Sequence, residues 1–255
     1  MRGVVVIEKF KIDKPIRLIE LFAGYGSQAM ALKRIGAEFE HYRVVENDKY
    51  AIKSYNAVHG TDFPVTDIRD LHGEDLGIVD TDKYIYLLTY SFPCTDISIA
   101  GNQEGFSKGS GTRSSLLWEV ERLLTELDEL PQVLMMENVK QIVSKKNKPN
   151  FDIWCEFLES LGYSNCWDIL NAKDYGVPQN RERCFLFSFW GDYTYQFPKP
   201  ITLTKCIKDI LEDKVDEKYY INTERARLLI EKLISNGELT GGVHNYLTDQ
   251  LTILK

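Results

Sequence analysis

The stretch YIYLLTYSFPC, Tyr84 to Cys94, decides the fold. Its first part, Tyr84–Thr89, is an unbroken aromatic and apolar run, which predicts a strand buried on both faces. Such strands belong to parallel sheets covered by helices. Segments on either side agree. Ile16–Phe22 is a second apolar run, ending in Ala23, Gly24 and Gly26, and a helical pattern follows from about Ser27 to Ile35, closed by Gly36. His41–Val45 predicts another strand and Asp48–Val58 another helix, with a third short strand expected before Asp67. Downstream, Arg113–Leu130 has helical spacing, Val133–Met136 is a buried strand, and Phe151–Leu161 is a helix stopped by Gly162. Tyr163–Leu170 and Cys184–Phe189 predict two closing strands. This alternation implies an α/β fold, a Rossmann-like, mostly parallel sheet with helices on both faces. Ligands of such sheets sit outside the carboxyl ends of the strands, and every unusual motif here falls just after a predicted strand. Gln103–Thr112 is different: rich in Gly and Ser, without periodicity, it reads as a mobile loop between the Cys94 segment and the next helix.

Composition narrows the function. No apolar run is long enough to cross a membrane, and the start, MRGVVVIEKFKIDK, has too short an apolar core for a signal peptide, so a cytoplasmic location is expected. Five cysteines without a C-x-x-C pair give neither a disulfide framework nor a zinc site, and no metal is expected. A net charge of −7 argues against a uniformly basic nucleic-acid surface. Any such surface has to be local. Lys140, Lys145, Lys146 and Lys148 form one basic cluster and Arg181 with Arg183 another, although a lysine cluster is more often a solvated loop.

Four motifs carry chemistry. In FAGYG, Phe22 to Gly26, small residues after a strand let the backbone turn tightly against a ligand. Glu46, 20 residues beyond Gly26, is placed to hydrogen-bond ribose hydroxyls. Asp67 and Ile68 fit an adenine amino group and ring, but alone they signify little. SFPC leaves Cys94 at a strand's carboxyl end, where a thiolate nucleophile would need a nearby positive charge or acid; a buried structural cysteine is the plainer reading of Cys and Pro alone. ENV, Glu137 to Val139, closes an apolar strand with a charge, which points to a paired or functional carboxylate. In PQNRER, Pro178 to Arg183, the two arginines at i and i+2 project to one side of an extended chain and suit a phosphate or a base carbonyl.

In this order, FAGxG, a ribose acid, FPC, ENV and QxRxR, the motifs resemble the DNA cytosine-5 methyltransferase family over about Arg17 to Trp190. The resemblance implies a class I S-adenosylmethionine-dependent methyltransferase fold and a methyl transfer from S-adenosylmethionine to carbon 5 of a flipped-out cytosine in double-stranded DNA. By the same resemblance Phe22, Ala23, Gly24, Gly26, Glu46, Asp67, Ile68, Pro93 and Leu116 are the cofactor-binding residues. Cys94 becomes the nucleophile, Glu137, in its protonated form, the partner of the cytosine ring, Arg183 a donor to the base carbonyl, Arg181 and Gln179 its support, and Asn138 the residue that holds the Pro93–Cys94 turn. The glycine-rich loop becomes a lid.

The chain also departs from the family. Ser27 and Ser91 stand where glycine is usual, and Thr95 replaces the glutamine that usually follows the cysteine. Residues 1–195 are expected to form the catalytic and cofactor-binding domain. Residues 196–255 are expected to form an exit segment and the start of an incomplete target-recognition region, with the helix from about Thr223 to Ser235 and the tail GGVHNYLTDQLTILK. The family's closing arginine-containing helix and Asn-Ser-Val-type strand are not found before Lys255, so a truncated chain or a second chain completing the fold is expected, with weak cofactor binding and little sequence-specific methylation by this chain alone. Two alternatives share the fold: a tRNA cytosine-5 methyltransferase, and a catalytically silent, cofactor-binding partner subunit. Intact Cys94, Glu137 and Arg183 argue against the second.

Overall fold

The structure is a computed structural model that describes residues 8–98, 104–212, 215–219, 221 and 223–237. In chain order its elements are β1 (Glu8–Lys9), β2 (Ile16–Leu21), α1 (Ser27–Arg34), β3 (Phe39–Val45), α2 (Lys49–His59), β4 (Ile85–Tyr90), α3 (Leu117–Glu126), β5 (Val133–Val139), α4 (Lys148–Ser160), β6 (Tyr163–Asn171), β7 (Glu182–Trp190), β8 (Tyr193–Thr194) and α5 (Glu224–Ser235). Two compact units are distinguished, Met1–Leu203 and Thr204–Lys255. The described part of the second holds 3₁₀ turns and α5, whose first turn is capped by the Thr223 hydroxyl accepting from Ala226 N.

The first unit is built on a six-stranded sheet in the order β3-β2-β4-β5-β7-β6. β3, β2, β4 and β5 are parallel, and β7 runs antiparallel to both β5 and β6. Side chains alternate between its two faces. Ile19, Leu21, Leu88, Tyr90, Leu134, Met136 and Leu186 join the core formed with α3 and α4. On the opposite face α2 packs Ile52 and Tyr55 against Val44, while farther along Phe10, Phe187, Tyr193 and Tyr195 cover Ile85, Val133 and Phe189. The predicted doubly covered α/β sheet is present.

Several elements differ from the sequence reading. No strand forms before Asp67; residues 61–67 are irregular, and the Asp67 carboxylate accepts from Arg69 N to open a 3₁₀ turn, Ile68–Asp70. β5 continues past Met136 because Glu137, Asn138 and Val139 pair with Phe185, Cys184 and Arg183 on β7. The helix expected from Arg113 to Leu130 is a 3₁₀ turn, Arg113–Leu116, followed by α3, which ends at Glu126. Beyond it Leu127 is extended, and Glu129 is bonded to the Thr81 backbone amide and hydroxyl at 3.0 and 2.6 Å, which holds that segment out of the helix. In the glycine-rich segment, Gln103 lies outside the described residues. The rest is anchored by Phe106, which is fully buried and whose carbonyl accepts from Trp118 Nε1 at 2.7 Å.

Candidate active site

The carboxyl ends of β2, β3, β4 and β5 and the start of β7 meet at one end of the sheet. Directly after β4 the chain turns at Ser91–Cys94. Cys94 is half-buried, and its carbonyl accepts from Ile97 N and Ser98 N at 3.1 and 2.9 Å, so it opens a tight turn. The neighbouring strand fixes this turn from below. Asn138, buried in β5, donates from Nδ2 to the Phe92 carbonyl at 3.0 Å and accepts from Val139 N at 2.8 Å. The residue before it, Glu137, pairs with Arg183 Nε at 3.0 Å. The register explains that contact: Arg183 lies opposite Val139, on the same face as Glu137 and diagonal to it. Arg181 precedes β7; its side chain is exposed, while its backbone N–H donates to Asn171 Oδ1. Gln179 is also exposed.

Beside this corner is a cleft of about 340 Å³, within the range of small-molecule sites. Five of the predicted cofactor residues line it: Phe22, Glu46, Ile68, Pro93 and Leu116. Glu46 joins two strand ends, since Oε2 accepts from Gly24 N at 2.9 Å and Oε1 from Asp48 N at 2.8 Å. Phe22 is held at φ +57°, a left-handed conformation uncommon for a residue with a side chain. Pro93 connects the cleft to Cys94 by one peptide bond.

Four predicted residues lie outside the lining. Ala23 is buried against α2. Gly24 is the amide bound by Glu46. At Gly26, φ is +82° and an added Cβ would stand 2.3 Å from His59 Nε2 and 2.6 Å from the Tyr55 ring, so both conformation and packing against α2 require glycine. Asp67 is engaged by Arg69, whose Nε and guanidinium nitrogen donate to it at 2.9 and 2.6 Å; this pairing holds its carboxyl well below the usual range.

Sequence reasoning missed Asn47, Thr66, Arg69, Arg113, Ser115 and Glu119 in the lining. It missed Arg122 behind it, which bonds Glu119, Glu126 and the Ile68 carbonyl. The i, i+3 and i, i+4 spacing of Glu119, Arg122 and Glu126 was a visible signal of mutual contact, though not of a cleft. Glu20 was missed too. It is 1 % exposed within β2 and accepts from the Tyr55 hydroxyl at 2.6 Å and Ala29 N at 3.3 Å. The basic cluster is partly neutralised, since Lys140 pairs with Glu182 and Lys148 with Asp152.

A mostly parallel sheet with a polar-rimmed cleft at the carboxyl ends of its first strands defines the class I methyltransferase fold. A solved Dnmt2 methyltransferase from S. pombe shares it with a TM-score of 0.62 at 21 % identity, over 82 % of this chain and 63 % of that one. The profile of the C-5 cytosine-specific DNA methylases matches residues 16–250, and the chain belongs to that family, whose members use S-adenosylmethionine. Among its relatives, the type II methyltransferase M2.ScrFI of Lactococcus lactis subsp. cremoris is 37 % identical over 82 % of the chain, and the orphan methyltransferase M.SssI of Spiroplasma monobiae 46 % over 62 % of it. The chain spans 71 % of the first relative's length and 40 % of the second's. No helix among the described residues is long and apolar enough to cross a membrane.

Proposed function

We propose that this chain binds S-adenosylmethionine in the cleft beside Pro93 and transfers its methyl group to carbon 5 of a cytosine flipped out of double-stranded DNA. The observation that carries the proposal is the Asn138 bond to Phe92, which fixes the Cys94 turn next to the Glu137–Arg183 pair. The cleft fits the cofactor chemically. Glu46 offers carboxylate lone pairs to ribose hydroxyls, Phe22, Ile68 and Leu116 offer apolar surface to the adenine, and Asn47 offers a side-chain amide to its polar edge. When bound, the cofactor supplies an electrophilic methyl group.

The chain's own residues would act on the base. Cys94 Sγ, as thiolate, adds to carbon 6, and the electron pair of the 5,6 double bond shifts to carbon 5, which then takes the methyl group. Glu137, in the protonated form that the resemblance implies, would give its proton to the ring nitrogen and accept from the exocyclic amine, and Arg183 would donate to the ring carbonyl, so the negative charge that develops on the ring meets two donors. Loss of the carbon 5 proton then restores the double bond and expels the thiolate. A stacked base cannot reach Cys94, hence the need for flipping. In this reading residues 1–195 are the catalytic and cofactor-binding part and 196–255 the exit segment and opening of a recognition region, acting in the cytoplasm. A second chain that completes the fold has no support in these observations and is not part of the proposal.

The test is transfer of tritiated methyl groups from S-adenosylmethionine to duplex DNA and, in parallel, to tRNA. Label in DNA cytosine, lost in Cys94→Ser, is expected. Label confined to tRNA would replace the substrate, and cofactor binding without transfer to either would leave the silent-subunit reading in its place.

A further inference from the structure

Asp96, two residues beyond Cys94, is 4 % exposed, and the hydrogen bonds to it come from neutral donors. Its Oδ2 accepts from Ser114 N at 3.0 Å and from the Thr95 hydroxyl at 3.1 Å. Its own N–H donates to Ser114 Oγ at 3.1 Å, closing a reciprocal pair with a fully buried serine. Its carbonyl accepts from Gly105 N at 2.8 Å, and the Gly105 carbonyl accepts from the Thr112 hydroxyl at 3.1 Å. One residue therefore touches both ends of the segment 105–114. Burial acts against an ionised Asp96, but the bonds from Ser114, Thr95 and Arg113 N outweigh it and hold its carboxyl below the usual range. Burying a carboxylate costs free energy unless it is well bonded, and charge-assisted bonds are roughly twice as strong as neutral ones.

The two things Asp96 joins are both parts of the site. On one side is the turn whose first carbonyl belongs to Cys94, with Ile97 buried beneath it. On the other, Gly111, Thr112, Arg113, Ser115 and Leu116 form one wall of the cleft. Pro93 touches that cleft as well, but from the strand side, through the turn that Asn138 holds. The Cys94 turn thus has two anchors, Asn138 through the Phe92 carbonyl and Asp96 through Ser114 and Gly105.

We propose that Asp96 is a positioning residue, which fixes the Cys94 turn and couples it to the Gly111–Leu116 wall of the cofactor cleft. The inference rests on Cys94 as the nucleophile and goes beyond it by naming what aims it. The coupling predicts that wall and nucleophile shift together, so a group that settles the wall also settles the thiol.

Cys94 alkylation by iodoacetamide, followed by peptide mass spectrometry, and amide hydrogen exchange at Ile97, Gly105 and Ser114 test this on the full chain. Loss of a hydrogen bond to a charged group corresponds to about a tenfold change in an opening equilibrium, so Asp96→Ala should speed both readouts by about that factor. Asp96→Asn keeps an acceptor for Ser114 N and should stay within about twofold of the unsubstituted protein, whereas Asp96→Leu keeps the bulk without the acceptor and should behave like Asp96→Ala. In methyl transfer, Asp96→Ala should lower kcat and, because the same bonds hold the cofactor wall, raise the KM for S-adenosylmethionine, each by about tenfold, with both restored to within about twofold in Asp96→Asn. If Asp96→Ala does not fold, Ser114→Ala removes only the hydroxyl half and should produce a smaller increase of the same kind. Unchanged alkylation and exchange in Asp96→Ala, or in Ser114→Ala where that variant stands in, would overturn the inference. Failure of Cys94 as nucleophile shows elsewhere, as the absence of a covalent adduct in the unsubstituted protein.

Discussion

Glu46, proposed here to hold the ribose, also holds the fold. Both of its oxygens already hold backbone amides, of Gly24 and Asp48, so the acid fixes the glycine turn before any ribose arrives. Replacing it by alanine should weaken S-adenosylmethionine binding by about 1–3 kcal/mol, the usual cost of removing one hydrogen-bond partner and leaving the other unsatisfied. Glu46→Gln should fall between, because an amide offers a single acceptor oxygen to amides now held by two. Calorimetry reads both variants, and equal affinity in all three proteins would mean that the ribose is held elsewhere. Glu46 was legible in the sequence because its distance from the glycine turn has a chemical meaning. Glu20 was not: a lone charge inside IRLIEL gives no periodic signal, and its partner Tyr55 lies 35 residues away. Gly26 was read as a ligand contact; its missing Cβ also leaves room for His59, a packing relation that spacing cannot express.

At the scale of elements, the anchoring of residues 104–112 is the main finding that composition did not foretell. Glycines and serines predicted mobility, yet Phe106 is fully buried against Phe92, with ring centroids 6.0 Å apart. Removing a buried aromatic ring typically costs about 3–5 kcal/mol, so Phe106→Ala should lower unfolding stability by that amount in urea titration. A loss below about 1 kcal/mol would show that the segment is not held by this ring. Buried strands were the most legible elements, since YIYLLT and VLMM carry their burial in composition. The extension of β5 through Glu137–Val139 was not legible, because it depends on pairing with β7 more than 40 residues later. The absent strand before Asp67 has a local cause, since the Asn56 side chain takes both the N–H and the carbonyl of Phe63 that a neighbouring strand would use.

Across the first unit, charge and titration give a further check. His41 on β3 faces Tyr55 and His59 of α2 and Lys33 of α1; its Nδ1 bonds the Tyr55 hydroxyl at 2.7 Å and its Nε2 is buried without a partner. Burial, then the nearby His59 and Lys33, lower its pKa to about 4. An imidazole whose folded value lies below the ordinary 6.5 binds its proton more readily in the unfolded chain, so its contribution to stability is present above about pH 6.5 and is lost as pH falls toward 4. Glu20, raised by burial, works in the opposite sense above its ordinary value. Subtraction separates them: the stability gap between the unsubstituted protein and His41→Gln should narrow from pH 7 to pH 4.5, measured by thermal unfolding. A gap that stays constant would contradict the assigned burial.

The central claim is that Cys94 bonds the target cytosine. Duplex DNA carrying 5-fluorocytosine tests it most directly, because fluorine at carbon 5 blocks the final elimination and the adduct accumulates even from a slow reaction. Incubated with S-adenosylmethionine, the chain should gain the mass of the DNA in a form that survives denaturation, with the link mapped to Cys94 and absent from Cys94→Ser. An adduct that persists in Cys94→Ser, or none with the unsubstituted chain, would contradict the account.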